Sequence, residues 1–182
     1  LNAGTDTNLP QYAQSASALV SSAASDPGSD EEGAPAHSYA LKITTGDNTD
    51  SGLVATNSTH AILLVQEGNL IVGRVDADDD GAVTSSDTAA FAISLNSGTG
   101  VVSVAQYLSL DHPLGGTQHD DDLDLTGLVD VVVTVTDGDG DTDTDEVSIG
   151  DQIFFDDDGP TAAITDTEGS VRIDETAGTQ DD

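Results

Sequence analysis

The sequence contains no cysteine, methionine or tryptophan, and its aromatic residues are three tyrosines and three phenylalanines. Without cysteine the chain has neither disulfide bonds nor thiolate metal sites. Basic residues are also rare. The chain has 35 acidic residues but only three basic ones, Lys42, Arg74 and Arg172, which gives a formal net charge of −32. Such a chain lacks the cations that bind nucleic-acid phosphates, so we expect no nucleic-acid partner. No apolar run reaches the length of a membrane span, so we expect no membrane insertion.

High charge and few aromatic residues are typical of a disordered chain, but the apolar pattern predicts folded β-structure. Strand-like apolar runs occur at Ala61–Val65, Leu70–Val72, Phe91–Ile93 and Val131–Val135. Both observations are compatible if folding depends on cations. Self-repulsion expands the metal-free chain, and bound cations remove that repulsion and add their binding energy to folding.

Strand patterns separated by turn signals predict an all-β fold, an antiparallel β-sandwich of the immunoglobulin or cadherin kind with Ca²⁺-binding loops. We expect hairpin turns at Glu67–Asn69 and Asn96–Gly100, and no helix beyond a turn around Ser85–Ala90. One further strand is possible near Ala16–Val20. The other predicted strands are His37–Thr44, His60–Gln66, Leu70–Val75, Thr88–Leu95, Val101–Ala105, Tyr107–Leu110, Leu128–Thr136 and Glu146–Phe155.

The acidic tip, residues 137–145 (DGDGDTDTD), lies between the last two predicted strands. Spacing by two puts alternate side chains on one side of an extended chain, where five like charges repel each other unless a cation sits among them. Hard oxygen ligands at this spacing suit Ca²⁺. We predict a Ca²⁺ site formed by Asp137, Asp139 and Asp141, with Asp143 as a further ligand. The alternative is a solvated acidic turn.

A second acidic loop, residues 76–87, fits the EF-hand loop template. Asp76, Asp78 and Asp80 occupy the first three ligand positions, Gly81 the turn position, and Asp87 the last position, where a bidentate Glu is usual. The flanking sequences are strand-like, so we expect an isolated loop and not a paired EF-hand. The sequence predicts Ca²⁺ binding here, and the alternative is an acidic hairpin loop.

A third acidic segment follows the last predicted strand and ends at Pro160, which favours a stiff chain. We predict one domain over residues 1–158, and a linker with the start of a second copy over residues 159–182. In a head-to-tail array this linker would meet the acidic tip of the neighbouring copy, as in the Ca²⁺-stiffened joints of cadherins. The alternative is a flexible linker. The ligands predicted for the joint are Asp156, Asp157, Asp158, Asp174 and Glu175.

Catalytic and transition-metal patterns are weak. His112, His119 and the carboxylates at 120–122 could supply a mixed imidazole and carboxylate site, but a solvated loop is the stronger interpretation. The sequence has no Gly-x-Ser-x-Gly, no His-Glu-x-x-His and no phosphate-binding loop. We therefore expect no enzymatic activity.

Residues 133–143, followed by residues 153–160, resemble the C-terminal signature of the large tandem repeats in repeats-in-toxin (RTX) adhesins, which are bacterial surface proteins exported by type I secretion. The resemblance covers roughly residues 37–160, whereas residues 1–36 match poorly and the insert 76–87 is longer than the family pattern. Further matching pieces fall in the expected order at Ser51–Val54, Leu70–Arg74, Phe91–Leu95 and Leu110–Pro113.

The resemblance implies a secreted, Ca²⁺-dependent β-sandwich at the bacterial cell surface, joined head to tail to neighbouring repeats as a spacer. Ligands on a cell surface or glycan would then be bound by other domains of the parent adhesin. Two alternatives stay open. The chain is a Ca²⁺-dependent glycan-binding module, or it is a halophile surface domain whose acidity serves solubility in salt.

Overall fold

The computed structural model describes residues 9–29, 31–114, 121–157 and 162–165. Within these ranges the chain forms β-strands and one turn of 3-10 helix at Gly150–Gln152, and no α-helix. The strands are β1 Gln11–Gln14, β2 Glu32–Ile43, β3 Thr49–Val54, β4 Ala61–Glu67, β5 Leu70–Val75, β6 Ala89–Leu95, β7 Val102–Gln106, β8 Asp122–Asp124, β9 Val129–Asp137, β10 Thr142–Ser148 and β11 Phe154–Asp156.

All strand pairs in the described part of the chain are antiparallel, which confirms the predicted all-β, antiparallel class. A six-stranded sheet has the order β1-β7-β6-β5-β4-β3, and a three-stranded sheet has the order β10-β9-β2. A short two-stranded sheet pairs β11 with β8. The predicted hairpins β4–β5 and β6–β7 are present, and β9 pairs with β10 across the acidic tip.

One hydrophobic core receives side chains from both larger sheets. Successive side chains of a strand point to opposite faces, so alternate apolar residues supply the core from each sheet. The six-stranded sheet contributes Ile62, Leu64, Ile71, Phe91 and Ile93, and the three-stranded sheet contributes Tyr39, Leu41, Ile43, Val129 and Val131. Segments after β10 complete the core with Ile149, Ile153 and Phe155.

The predicted strand Glu146–Phe155 is wrong as a single element, because the chain turns at Gly150. A Cβ atom at Gly150 would lie 1.8 Å from the backbone oxygen of Leu125, and the Leu125 N–H donates to the Gly150 carbonyl at 3.1 Å. Only glycine permits this approach of two backbones. The apolar residues after the turn then continue in β11, which pairs with β8 instead of with β9.

Two weaker strand predictions are also wrong. Residues 16–20 are not a strand, although Leu19 and Val20 pack against the core and the Leu19 N–H donates to the Gly100 carbonyl at 3.0 Å. Tyr107–Leu110 contributes only an isolated bridge between Leu110 and Ala55. In both segments apolar residues reach the core although no continuous ladder forms. Their spacing in the sequence therefore looks like that of a strand.

Candidate metal centre

The first acidic cluster lies directly after β5 and consists of Asp76, Asp78 and Asp80. Each residue offers one carboxylate oxygen, and these oxygens lie within 4.8 Å of one another. Asp76 is only 5% exposed, whereas Asp78 and Asp80 face solvent. The three predicted ligands therefore converge, with one anchored in the protein and two open to an arriving ion.

Backbone N–H groups hold the Asp76 loop in shape. The two carboxylate oxygens of Asp76 accept hydrogen bonds from the N–H of Asp80 at 3.2 Å and the N–H of Gly81 at 2.9 Å. The tight turn needs left-handed backbone at Asp79 (φ +55°) and Gly81 (φ +80°). A carboxylate oxygen carries two lone pairs, so accepting one N–H leaves capacity for a cation.

Arg74, which was not among the predicted site residues, anchors the far end of the same loop. Its side chain is 0% exposed, its Nε donates to Glu67 at 2.6 Å, and its Nη1 donates to the backbone carbonyl of Asp87. Val83 is also buried, and its N–H donates to the Asn48 side chain at 2.9 Å. The sequence does carry a signal for this role, which is an arginine inside an otherwise apolar strand. A buried charge at such a position needs hydrogen-bonding or oppositely charged partners.

Asp87, predicted as the last ligand of this loop, lies outside the cluster. Its Oδ2 accepts hydrogen bonds from the N–H of Thr84 at 2.7 Å and from the Thr84 hydroxyl at 3.0 Å. These hydrogen bonds lower the pKa of Asp87, and the positive charge of Arg74 lowers it further. The side chain therefore caps the turn in this structure, and of the four predicted carboxylates the three of Asp76, Asp78 and Asp80 converge.

Replacing Thr84 with Val should raise the pKa of the Asp87 carboxyl towards its ordinary value, because the hydroxyl donor is lost while the backbone N–H remains. A lowered folded-state pKa stabilises the protein above the unfolded-state pKa of about 4, and that contribution disappears as pH falls through the folded-state value. The variant should therefore lose less stability than the parent on acidification. Carboxyl NMR titration gives the pKa directly. The pKa of Asp137 is the internal control and should not move, and an unchanged Asp87 pKa would contradict the assigned cause.

The second acidic cluster lies at the tip between β9 and β10 and consists of Asp137, Asp139 and Asp141, again with oxygens within 4.8 Å. Asp137 Oδ1 accepts hydrogen bonds from the N–H of Gly140 at 3.0 Å and the N–H of Asp141 at 2.8 Å. The turn uses left-handed backbone at Gly140 (φ +98°). A hydrogen bond from the Asp139 carboxyl lowers the pKa of Asp137, and the backbone N–H groups of the turn lower it further.

Asp143 was predicted as a further ligand of the tip, but it lies outside this cluster. It is already in β10, opposite Val135, and its Oδ1 accepts the N–H of Thr144 at 2.9 Å. Asp145 is arranged in the same way, because its Oδ1 accepts the N–H of Glu146 at 2.9 Å. Once the chain enters the ladder, the carboxylates bond to their own strand and no longer converge.

The two clusters belong to opposite ends of β2. Asp137 pairs with Glu32 at the start of β2. At the other end, β2 finishes at Ile43, and the chain continues to Asn48, whose side chain accepts the N–H of Val83 in the Asp76 loop. Along the ladder, β2 runs from Asp137 to Val129 of β9, a nine-residue strand that spans roughly 26 Å. The clusters are therefore two separate candidate sites.

The predicted joint is only partly within the described residues. Asp156 is exposed in β11, opposite Asp122, and Asp157 follows it. Asp158, Asp174 and Glu175 lie outside the described residues. Of the weak transition-metal pattern, His112 Nδ1 lies 3.0 Å from the backbone oxygen of Asp121 and 3.7 Å from its Oδ1, and His119 and Asp120 lie outside the described residues.

The fold and these loops define an all-β protein with two aspartate clusters that can each hold a metal ion. The sequence matches the model of a family described as a domain of unknown function, DUF5801, over residues 3–150, and the chain therefore belongs to that family. No curated protein and no solved structure matches the chain. The part that the structure describes contains no helix of the length and apolarity that crossing a membrane requires.

Proposed function

We propose that this chain is a Ca²⁺-stabilised spacer repeat of a secreted bacterial surface adhesin. The observation that carries the proposal is the pair of aspartate clusters, one near each end of β2, in a chain with a net charge of −32. Both clusters are held by backbone N–H groups, so their shape does not depend on a partner protein. The role is structural and includes no catalytic step.

Ca²⁺ suits the clusters better than other ions do. Their ligands are all carboxylate oxygens, which excludes the soft and imidazole-rich sites of zinc and copper. Two of the three carboxylates in each loop are exposed, and a loop of this kind adapts to the flexible coordination of Ca²⁺ more readily than to the strict octahedron of Mg²⁺. Extracellular modules bind Ca²⁺ with Kd values of about 10⁻⁴–10⁻³ M.

The mechanism follows from charge. Without Ca²⁺, repulsion between carboxylates opposes closure of both loops and expands the chain. Low cytosolic Ca²⁺ then leaves the chain marginally stable, so that it is easily unfolded for type I secretion, and millimolar external Ca²⁺ stabilises a β-sandwich of the two larger sheets. In the assembled adhesin, Asp156 and Asp157 would share an ion with the next repeat and fix the angle between head-to-tail neighbours.

Substitutions within each loop separate specific coordination from general charge. Asp78→Asn removes a carboxylate of the first cluster, and Asp79→Asn removes the same charge from a neighbour that instead bonds to His60 at 2.9 Å. Asp139→Asn and Asp145→Asn form the matched pair at the tip. We expect isothermal titration calorimetry with Ca²⁺ to show affinity about tenfold or more weaker at the altered site for Asp78→Asn and Asp139→Asn, a change of about 1.4 kcal/mol.

Asp79→Asn and Asp145→Asn should leave both sites within about twofold of the parent, because neither carboxylate belongs to a cluster and each adds only attraction through solvent that salt screens. Equal weakening by all four substitutions would show a diffuse counterion effect and would reject the two defined sites. Absence of Ca²⁺ binding in the parent chain would reject the proposal altogether.

A further inference from the structure

The outer face of the six-stranded sheet, opposite the core, carries a groove of about 510 Å³. Cross-strand partners share a face, so the registers place two parallel rows of side chains along its floor. One row runs from Tyr12 in β1 through Ala105 in β7 to Ala92 in β6. The neighbouring row is formed by Gln14, Ser103, Ser94 and Leu70. The short side chains in the middle of both rows make the depression.

The groove is uncharged throughout, although the chain carries 35 acidic residues. Two other grooves on the described surface differ in this respect. One of about 460 Å³ beside the tip is lined by Asp137, Asp141 and other carboxylates, and one of about 380 Å³ between β1 and β11 includes Asp156. The neutral groove therefore has a chemistry distinct from the metal clusters.

Two tyrosines border the groove. Tyr12 is 74% exposed on the edge strand β1, and Tyr107 follows β7. Burial raises the pKa of the Tyr107 phenol, and the Tyr12 phenol across the groove raises it further. Exposed tyrosine combines an apolar ring face with a hydroxyl that donates and accepts hydrogen bonds.

We propose that this groove binds a neutral oligosaccharide, and that it does so without Ca²⁺. The C–H faces of hexose rings pack on the tyrosine rings, and the hydroxyls of the sugar bond to Gln14, Ser94 and Ser103. The groove has the volume of small-ligand sites, with one apolar row and one largely polar row along its floor. Because the chain carries a net charge of −32, it repels anionic polymers. The lining offers no carboxylate to a cationic ligand.

The test is ¹H–¹⁵N chemical-shift mapping of the full chain in Ca²⁺ buffer, with maltohexaose, cellohexaose and mannohexaose added to about 10 mM, which detects a Kd near 1 mM. We expect at least one sugar to shift the amides of Ser94, Ser103 and Ala105. Tyr12→Ala should weaken binding about tenfold or more, whereas Phe154→Ala, which removes the exposed aromatic side chain of β11, should not. Tyr12 is an exposed edge residue, so its replacement should leave stability within about 0.5 kcal/mol.

Binding should persist in Asp78→Asn and Asp139→Asn, because neither cluster touches the groove. Failure of all three neutral sugars to shift the groove amides would overturn the proposal. Shifts confined to the acidic loops, or equal binding by Tyr12→Ala and the parent, would overturn it too. None of these results bears on the Ca²⁺ titration, so the two proposals stand or fall separately.

Discussion

Removing Ca²⁺ with EDTA should lower the melting temperature of this protein by about 10–20 °C relative to about 10 mM Ca²⁺. A ligand that binds only the folded state adds about 2.7 kcal/mol when its concentration is one hundred times Kd. Two independent sites with Kd near 10⁻⁴ M would then add about 5 kcal/mol. For a domain of this size, each kcal/mol shifts the melting temperature by about 2–4 °C.

Thermal unfolding followed by circular dichroism gives this result directly, with Ca²⁺ titrated at fixed ionic strength. The control is NaCl added in EDTA to the same ionic strength, because salt alone screens general repulsion. If NaCl restores the full melting temperature, acidity serves solubility in salt, as in the halophile alternative. An identical melting temperature with and without Ca²⁺ would refute the Ca²⁺-stabilised spacer.

Phe155→Ala should lower the free energy of unfolding by about 3–5 kcal/mol, whereas Phe154→Ala should change it by less than about 0.5 kcal/mol. Phe155 is 3% exposed and its ring lies 4.9 Å from the ring of Phe91, while Phe154 is 53% exposed. Removing the buried ring deletes its transfer free energy and leaves a cavity beside Phe91 that the sheets fill only in part. Urea unfolding in saturating Ca²⁺ measures both variants.

This pair also tests where the folded unit ends. The family match stops at residue 150, yet Ile153 and Phe155 belong to the core. If the two alanine variants are equally stable, β11 does not close the core. A chain shortened after residue 150 should show a loss at least as large as Phe155→Ala, because it lacks both buried side chains.

The sequence predicted those parts of the fold that depend on short-range pattern. The apolar runs of β4, β5, β6 and β9 predicted strands, and the short turns after β4 and β6 predicted the hairpins β4–β5 and β6–β7. The three-carboxylate part of each acidic loop was also predictable, because residues spaced by two in a tight turn converge locally. Asp143 was predicted by the same spacing, whereas Asp87 was predicted from the last position of the EF-hand template. In the structure the Asp87 carboxylate accepts the N–H of Thr84 and the Asp143 carboxylate accepts the N–H of Thr144.

By itself, then, the sequence determined the all-β class, the main hairpins and two aspartate triads, since each follows from residues a few positions apart. Tertiary structure alone decided the break at Gly150, the buried role of Arg74 and the difference between Phe154 and Phe155. It also placed Tyr12 and Tyr107, which are far apart in the sequence, at the same groove. These features depend on which distant strands meet, and strand pairing between remote segments is set by how the whole core packs, which no local pattern encodes.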